Sequence, residues 1–176
     1  MAHLIYSFIL LFTIQTEWKE HEFIEEGFAI EAPSEVKSTE QEIMTDIGLI
    51  NFSSWNFGKE LKDGNLVYSV HVYAYPEGSL SADSSAADLG LELYHETMNA
   101  NVDNLNGNLD YSTDIEVNGV PGMKYRISFN NRKQVMKSYA FIKEDTFYSL
   151  QVFTFQDRSL NDHIDVFLDS FRFIGT

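Results

Sequence analysis

The chain contains no cysteine among its 176 residues. A disulfide framework, a cysteine-ligated zinc site and a thiol nucleophile are therefore excluded. A lipid-anchored bacterial export signal is excluded too, because it needs a cysteine at its cleavage point. Basic residues are scarce, with 12 Lys and Arg against 27 Asp and Glu, so the formal charge is −15. Such a field repels phosphate backbones and anionic membrane surfaces, which argues against a nucleic-acid partner. Long apolar runs are absent as well. The uncharged stretch Leu4–Ile14 has 11 residues, whereas a helix that spans a bilayer needs about 20.

Recognisable catalytic signatures are missing. There is no Gly-x-Ser-x-Gly elbow, phosphate loop or dinucleotide fingerprint. His21, His71, His95 and His163 never stand four residues apart, so helical zinc-ligand spacing is absent. The Asn- and Asp-rich stretch 101–110 suggests calcium. With Gly107 at the sixth loop position, however, Val102 falls where a carboxylate is required and Thr113 where a Glu is required. No metal or cofactor is expected. Asn51-Phe52-Ser53 is a glycosylation sequon, but it lies inside an expected strand.

What is present is a globular composition, 44% apolar and 14% aromatic. Residues 1–16 read as an N-terminal signal peptide, with an h-region of suitable length followed at once by charge. That places the protein outside the cytoplasm, periplasmic or secreted, with no transmembrane span in the mature chain. Residues 17–22 read as a linker and 23–176 as one domain. A body of roughly 150 residues can bury a self-sufficient core.

An opening strand is expected over 23–32, stopped by Pro33. Runs at 39–46 and 49–57 read as a strand pair or one long bent strand, followed by an Asp63-Gly64 turn and a strand over 66–75. A first helix is expected from Ser84 to Asn104, with Ala86, Leu89, Leu93 and Ala100 on its apolar stripe and Tyr94 and Thr97 flanking it. Four strands then alternate over roughly 109–117, 120–129, 133–143 and 146–156. Asn118-Gly119, Asn130-Asn131 and Glu144-Asp145 join them as tight hairpins. The last helix is expected over 160–171, capped by Ser159, with Leu160, Ile164, Phe167, Leu168 and Phe171 on one stripe. The fold class is α+β: an antiparallel β-sheet with a four-strand meander and two main helices. Apolar groups on both strand faces imply a three-layer α/β/α sandwich.

Two groups of candidate binding residues emerge. Lys124, Arg126, Lys133 and Lys137 would share a face, with Lys124 opposite Lys137 across a two-residue turn. A three-residue loop at Asn118-Gly119-Val120 would set Asp114 against Lys124 and match charge to charge. That basic face is either neutralised by Asp114 and other surface acids or docks an anionic ligand or acidic segment. His71, Tyr73 and Tyr75 form a polar-aromatic strand face, which either lines a pocket or lies under a helix.

Val117-Asn118-Gly119-Val120-Pro121-Gly122 opens the meander and Phe167-Leu168-Asp169-Ser170-Phe171 ends the last helix. With this order of elements, the chain resembles the PsbP-like fold superfamily over about residues 23–174. The superfamily includes a photosystem II extrinsic subunit, a nuclear Ran-binding import factor and exported bacterial proteins of unknown role. The resemblance implies a non-enzymatic binding or assembly module. No manganese-cluster or calcium-binding residues match, so the photosynthetic role is not implied.

The expected function is an exported, non-catalytic module for a protein or lipid-like partner. One alternative is a hydrolase or isomerase with an unfamiliar site, using His71 or His95 as base. Another is a structural envelope component, oligomeric through an edge strand. Nothing in the sequence fixes the oligomeric state.

Overall fold

The computed structural model describes residues 17–45, 48–58, 64–80 and 84–175, and for 84–89 the backbone alone. The expected signal peptide, 1–16, lies outside the described residues. Among the described residues, no helix is long and apolar enough to cross a membrane.

Ten strands and two helices follow in the order β1 (Trp18–Phe23), β2 (Phe28–Pro33), β3 (Val36–Thr45), β4 (Gly48–Phe57), β5 (Asn65–Ala74), α1 (Ser84–Asn104), β6 (Asn108–Val117), β7 (Val120–Phe129), β8 (Gln134–Lys143), β9 (Thr146–Phe155), α2 (Asp162–Asp169) and β10 (Arg172–Phe173). They form an α+β fold with two antiparallel sheets. The larger has seven strands in the order β3-β4-β5-β9-β8-β7-β6, and the smaller has three in the order β1-β2-β10. The expected single sheet is thus corrected to two. The segment expected as a linker carries β1, which turns at 24–27 and pairs with β2.

Strand alternation explains the burial. On one face of the large sheet Trp55, Phe57, Tyr68, Val70, Leu150 and Val152 join Phe28 and Ile30 of the small sheet and Ile164, Phe167 and Leu168 of α2. On the other face Met123, Tyr125, Ile127 and Met136 pack with Met98 of α1. Tyr94, Val102 and Leu105 flank that second cluster. Of the expected α1 stripe, Ala86 and Leu89 lie outside the described side chains, Leu93 is half-buried and Ala100 is exposed. A small, weakly apolar alanine is a poor marker of a helix's inner face.

The closing helix is shorter than expected. It starts at Asp162, its N-cap is Asn161, and Leu160 is 86% exposed. Ser159 instead ends a 3-10 turn, its Oγ donating to the Gln156 carbonyl at 2.9 Å. Asn161 and Asn65 exchange amide hydrogen bonds of 2.9 and 3.1 Å, which ties the start of α2 to the start of β5.

Two hairpin registers differ from expectation. Asn118 (φ 52°) and Gly119 (φ 80°) form a two-residue turn with Val117 opposite Val120. Left-handed angles at both central residues match the strand twist, which favours this turn over a three-residue loop. Asp114 therefore faces Met123, not Lys124. The next turn is longer, with Asn130, Asn131 and Arg132 all at positive φ and pairing resuming at Phe129–Gln134. Arg126, not Lys124, thus lies opposite Lys137.

Candidate functional site

The second half of β5 alternates sharply. Tyr68, Val70 and Val72 point into the larger core, while Ser69, His71 and Tyr73 point to the α1 side. Across the ladder, Ser69 pairs with Gln151, His71 with Ser149 and Tyr73 with Phe147. The strands therefore present a mixed aromatic and polar floor. Over it lies one side of α1, where Thr97, Ala100, Asn101 and Asn104 stand at i, i+3, i+4 and i+7. These floor and wall groups, with Tyr75, enclose a cleft of about 360 Å³. That volume lies within the range of small-molecule pockets.

The helix is held at a fixed distance from the sheet. The Tyr94 hydroxyl accepts a hydrogen bond from the Ile142 backbone N–H at 2.7 Å and donates to the Pro121 carbonyl at 3.2 Å. Burial pushes its pKa up to about 12, opposed by the Ile142 bond, so it stays neutral. Asn101 Nδ2 donates to the Tyr125 hydroxyl at 2.8 Å. At the near end, the amides of Gly78 and Leu80 both donate to the Asp145 carboxylate at 2.7 Å. The loop before α1 is thereby fastened to the β8–β9 turn.

Aromatic rings continue the floor sideways. Phe52 of β4 lies 4.7 Å from Tyr73, which lies 6.0 Å from Phe147, itself 6.0 Å from Tyr94. Phe52 also meets the His71 ring edge-on at 5.8 Å. Burial lowers the His71 pKa below its ordinary value of 6.5, so the imidazole is neutral at pH 7. Burial raises the Tyr73 and Tyr75 hydroxyls above 10.0; the Tyr125 phenol adds to the effect at Tyr73, and the Tyr73 phenol and the Glu96 carboxylate add to it at Tyr75.

Among the described residues, no hydrogen bond engages the side chains of His71, Tyr73, Tyr75, Thr97 or Asn104. Gln151 uses one amide hydrogen, donated to the Ser149 hydroxyl at 3.3 Å. None of the ten described lining residues carries a carboxylate, so His71 has no acid partner there. The arrangement offers a neutral array of donors and acceptors and no activated nucleophile.

The structure brings His71, Tyr73 and Tyr75 together, as their strand alternation predicts. It places the basic candidates elsewhere. Lys124, Arg126 and Lys137 lie on the opposite face of the sheet, beside α2, while exposed Lys133 sits in the β7–β8 turn. Arg126 is tied within the fold. Its Nε lies 3.4 Å from Asp110 Oδ2, too poorly aimed for a hydrogen bond, and its Nη2 donates to Gln156 Oε1 at 2.8 Å. Desolvation lowers the Lys137 pKa; Asp165 and Asp169 of α2 oppose that, and Arg126 reinforces it. Asp169 also accepts a 2.9 Å bond from the Tyr139 hydroxyl.

The helix wall of the cleft was missed by sequence reasoning. Its Thr97, Asn101 and Asn104 are polar and leave no mark on an apolar stripe, and Ala100 reads as core. The floor residues Ser149 and Gln151 lie on a strand flanked by large apolar groups and carried no signal of their own. His95 points away, exposed on α1.

No known protein family matches the chain, and no curated protein does. Among solved structures, it resembles cyanobacterial PsbP (CyanoP) from Synechocystis sp. PCC 6803, with a TM-score of 0.60 and 12% identity. That match covers 90% of this chain and 94% of the other. The fold is therefore PsbP-like. A protein of unknown function from Pseudomonas aeruginosa, PA94, described as a putative regulator, matches with a TM-score of 0.30, 10% identity and coverage of 78% and 82%.

Proposed function

We propose that the protein is an exported, non-catalytic binding module whose ligand site is the cleft between α1 and the β5–β9 floor. In this reading the chain is a three-layer stack: α1, the large sheet with its 108–155 meander, and α2 with the small sheet. The observation that carries the reading is the unengaged polar array around a neutral His71. Binding sites combine a preformed cavity with a few convergent polar groups. General-base catalysis needs more, usually an acid to orient and charge-stabilise the imidazole. The cleft lining supplies none, which favours binding over a hydrolase or isomerase.

The envelope-scaffold alternative is weaker for a different reason. The edge strands of the large sheet, β3 and β6, are mostly exposed and carry Glu40 and Glu42, and Asp110, Asp114 and Glu116. Acidic edges repel one another and block edge-to-edge pairing.

The test is a fragment screen on the full chain followed by amide NMR shifts. Binders should cluster their shifts on residues 71–75, 97–104 and 147–151. Shifts confined to the Lys124, Arg126 and Lys137 face, or turnover lost on His71→Ala, would overturn the reading. Export is tested separately by sequencing the N-terminus of the mature protein.

A further inference from the structure

We propose that the cleft takes a neutral, hydroxyl-rich ligand, a saccharide, stacked on Tyr73. The proposal rests on the cleft being a binding site and names the chemistry that suits it.

Charge narrows the ligand first. The chain as a whole is 22% charged, yet none of the ten described lining residues is Asp, Glu, Lys or Arg. His71 is the one titratable group there that would gain charge near neutrality, and its burial opposes that. A phosphorylated, carboxylated or ammonium ligand would leave water for this cleft without finding a counter-charge. Desolvating an unpaired ion is strongly unfavourable. Ionic ligands are disfavoured on that ground.

Polarity narrows it again. Ala100 is the sole aliphatic side chain in the described lining. An acyl chain would strip water from Thr97, Asn101 and Asn104 and return no hydrogen bonds, which is unfavourable for each stranded group. The lipid-like partner expected from sequence therefore fits poorly here.

What remains must satisfy amides and hydroxyls that both donate and accept. A sugar hydroxyl does the same, so each can pair with either end of a side-chain amide. Sugar rings also present an apolar C–H face, and the floor supplies its counterpart. The half-buried Tyr73 ring is that counterpart, backed across β9 by the buried Phe147 ring with centres 6.0 Å apart and planes tilted by 59°. Phe52 of β4 packs beside Tyr73 with ring centres 4.7 Å apart and helps to hold that ring in place. Tyr73 and Tyr75 keep their hydroxyls protonated, so neither adds an anion.

The experiment titrates the full chain with maltotetraose, cellotetraose and chitotetraose up to about 10 mM, a range that captures weak glycan affinities. Amide shifts are read by NMR. Decanoate and citrate serve as apolar and anionic arms. At least one saccharide should shift residues 71–75, 97–104 and 147–151, and the two other arms should not. Tyr73→Ala should weaken that binding at least about tenfold. Asn104 is exposed, so Asn104→Ala leaves the fold intact and should weaken it about threefold or more. Lys133→Ala should change nothing. Decanoate or citrate shifting the cleft while every saccharide is silent would overturn the saccharide inference and leave the binding site standing. Silence of all probes also overturns it. A fragment screen with no binder in the cleft would remove the binding-site reading itself.

Discussion

Asp110 and Arg126 meet because β6 carries one residue too many. Leu109 pairs with Ile127 and Tyr111 with Arg126, so Asp110 is the extra residue of a bulge. From there its carboxylate reaches the Ser128 hydroxyl at 2.9 Å and the Arg126 guanidinium at 3.4 Å. A bulge re-aims a side chain in this way without disturbing the rest of the ladder. The basic strand face is thus offset from inside the domain, by an acid that simple alternation would place elsewhere. Arg126→Gln and Asp110→Asn should each destabilise the protein, and a double-mutant cycle should show a coupling of about 0.5–1 kcal/mol, because the pair is partly exposed. The coupling should shrink in high salt. Additive effects in urea unfolding would show that the pair contributes nothing.

The same hairpin region shows what the sequence could and could not convey. The bounds of β6 to β9 agree with expectation to within one residue at most ends, because turn residues and period-2 alternation mark them. The β7–β8 register is two residues away from the expected one. A two-residue slip leaves every side chain on its own face, so alternation cannot detect it. That is why Lys124, Arg126 and Lys137 share a face as expected although their partners differ. The β6–β7 register is off by one, which does exchange faces. It was misjudged because pairing Asp114 with Lys124 looked favourable. On an exposed edge strand, Asp114 needs no partner at all.

Helix faces were less legible than strand faces. The α2 stripe of Ile164, Phe167 and Leu168 is read correctly from its spacing, since large side chains define it. In α1 the inner face holds Tyr94, Met98 and Asn101, and Asn101 is inward because it bonds the Tyr125 hydroxyl. A polar residue facing a polar partner carries no periodic signature. The cleft depends on this rotation of α1, so the His71, Tyr73 and Tyr75 part of its floor could be anticipated and its wall could not.

The Tyr94 hydroxyl bridges β7 and β8 where their ladder ends at the Gly122–Phe141 pair. Tyr94→Phe keeps the ring and removes the bridge, leaving the Ile142 N–H and Pro121 carbonyl without it. The expected cost is about 1–3 kcal/mol in urea unfolding. Faster hydrogen exchange at the Ile142 amide would accompany it. Unchanged stability together with unchanged exchange would mean that water replaces the hydroxyl fully.

Two glycines separate packing from backbone strain. A Cβ at Gly122 would overlap the Ala140 carbonyl oxygen and the Phe141 ring. Gly122→Ala should therefore cost about 2–4 kcal/mol through forced backbone displacement in the sheet. Gly119 lies at φ +80° with nothing near its missing Cβ. Gly119→Ala meets only the left-handed penalty of about 1–2 kcal/mol. Thermal unfolding of the two variants should rank them in that order.

Arg132 is the third of three consecutive left-handed residues, at φ +61° after Asn130 and Asn131. Asparagine tolerates that region and arginine does so poorly. Its side chain is exposed, so removing it leaves no cavity. Arg132→Gly should raise stability by about 0.5–1 kcal/mol, the relieved strain being reduced by the added freedom of the unfolded chain. A loss of stability would mean that the side chain contributes more than its exposure indicates.

His71 gives the fold a pH dependence with a definite sign. Its folded pKa lies below the ordinary 6.5 because burial disfavours the imidazolium. The unfolded chain therefore binds this proton first as pH falls. Stability from His71 is complete above pH 6.5 and declines as pH drops through that value toward the folded pKa, below which the loss is constant. His21 acts in the same direction, lowered mainly by burial, although its ring is within 3.0 Å of the Pro33 carbonyl, which partly supports the charged form. Glu26, raised by burial, has the opposite slope and complicates any single profile. Comparing His71→Gln with the parent cancels both. The variant's stability deficit should narrow as pH falls from about 7.5 to about 5.5, because only the parent loses the His71 contribution. A deficit independent of pH in urea unfolding would mean that the imidazole keeps an ordinary pKa, and that water in the cleft solvates it as freely as in the unfolded chain.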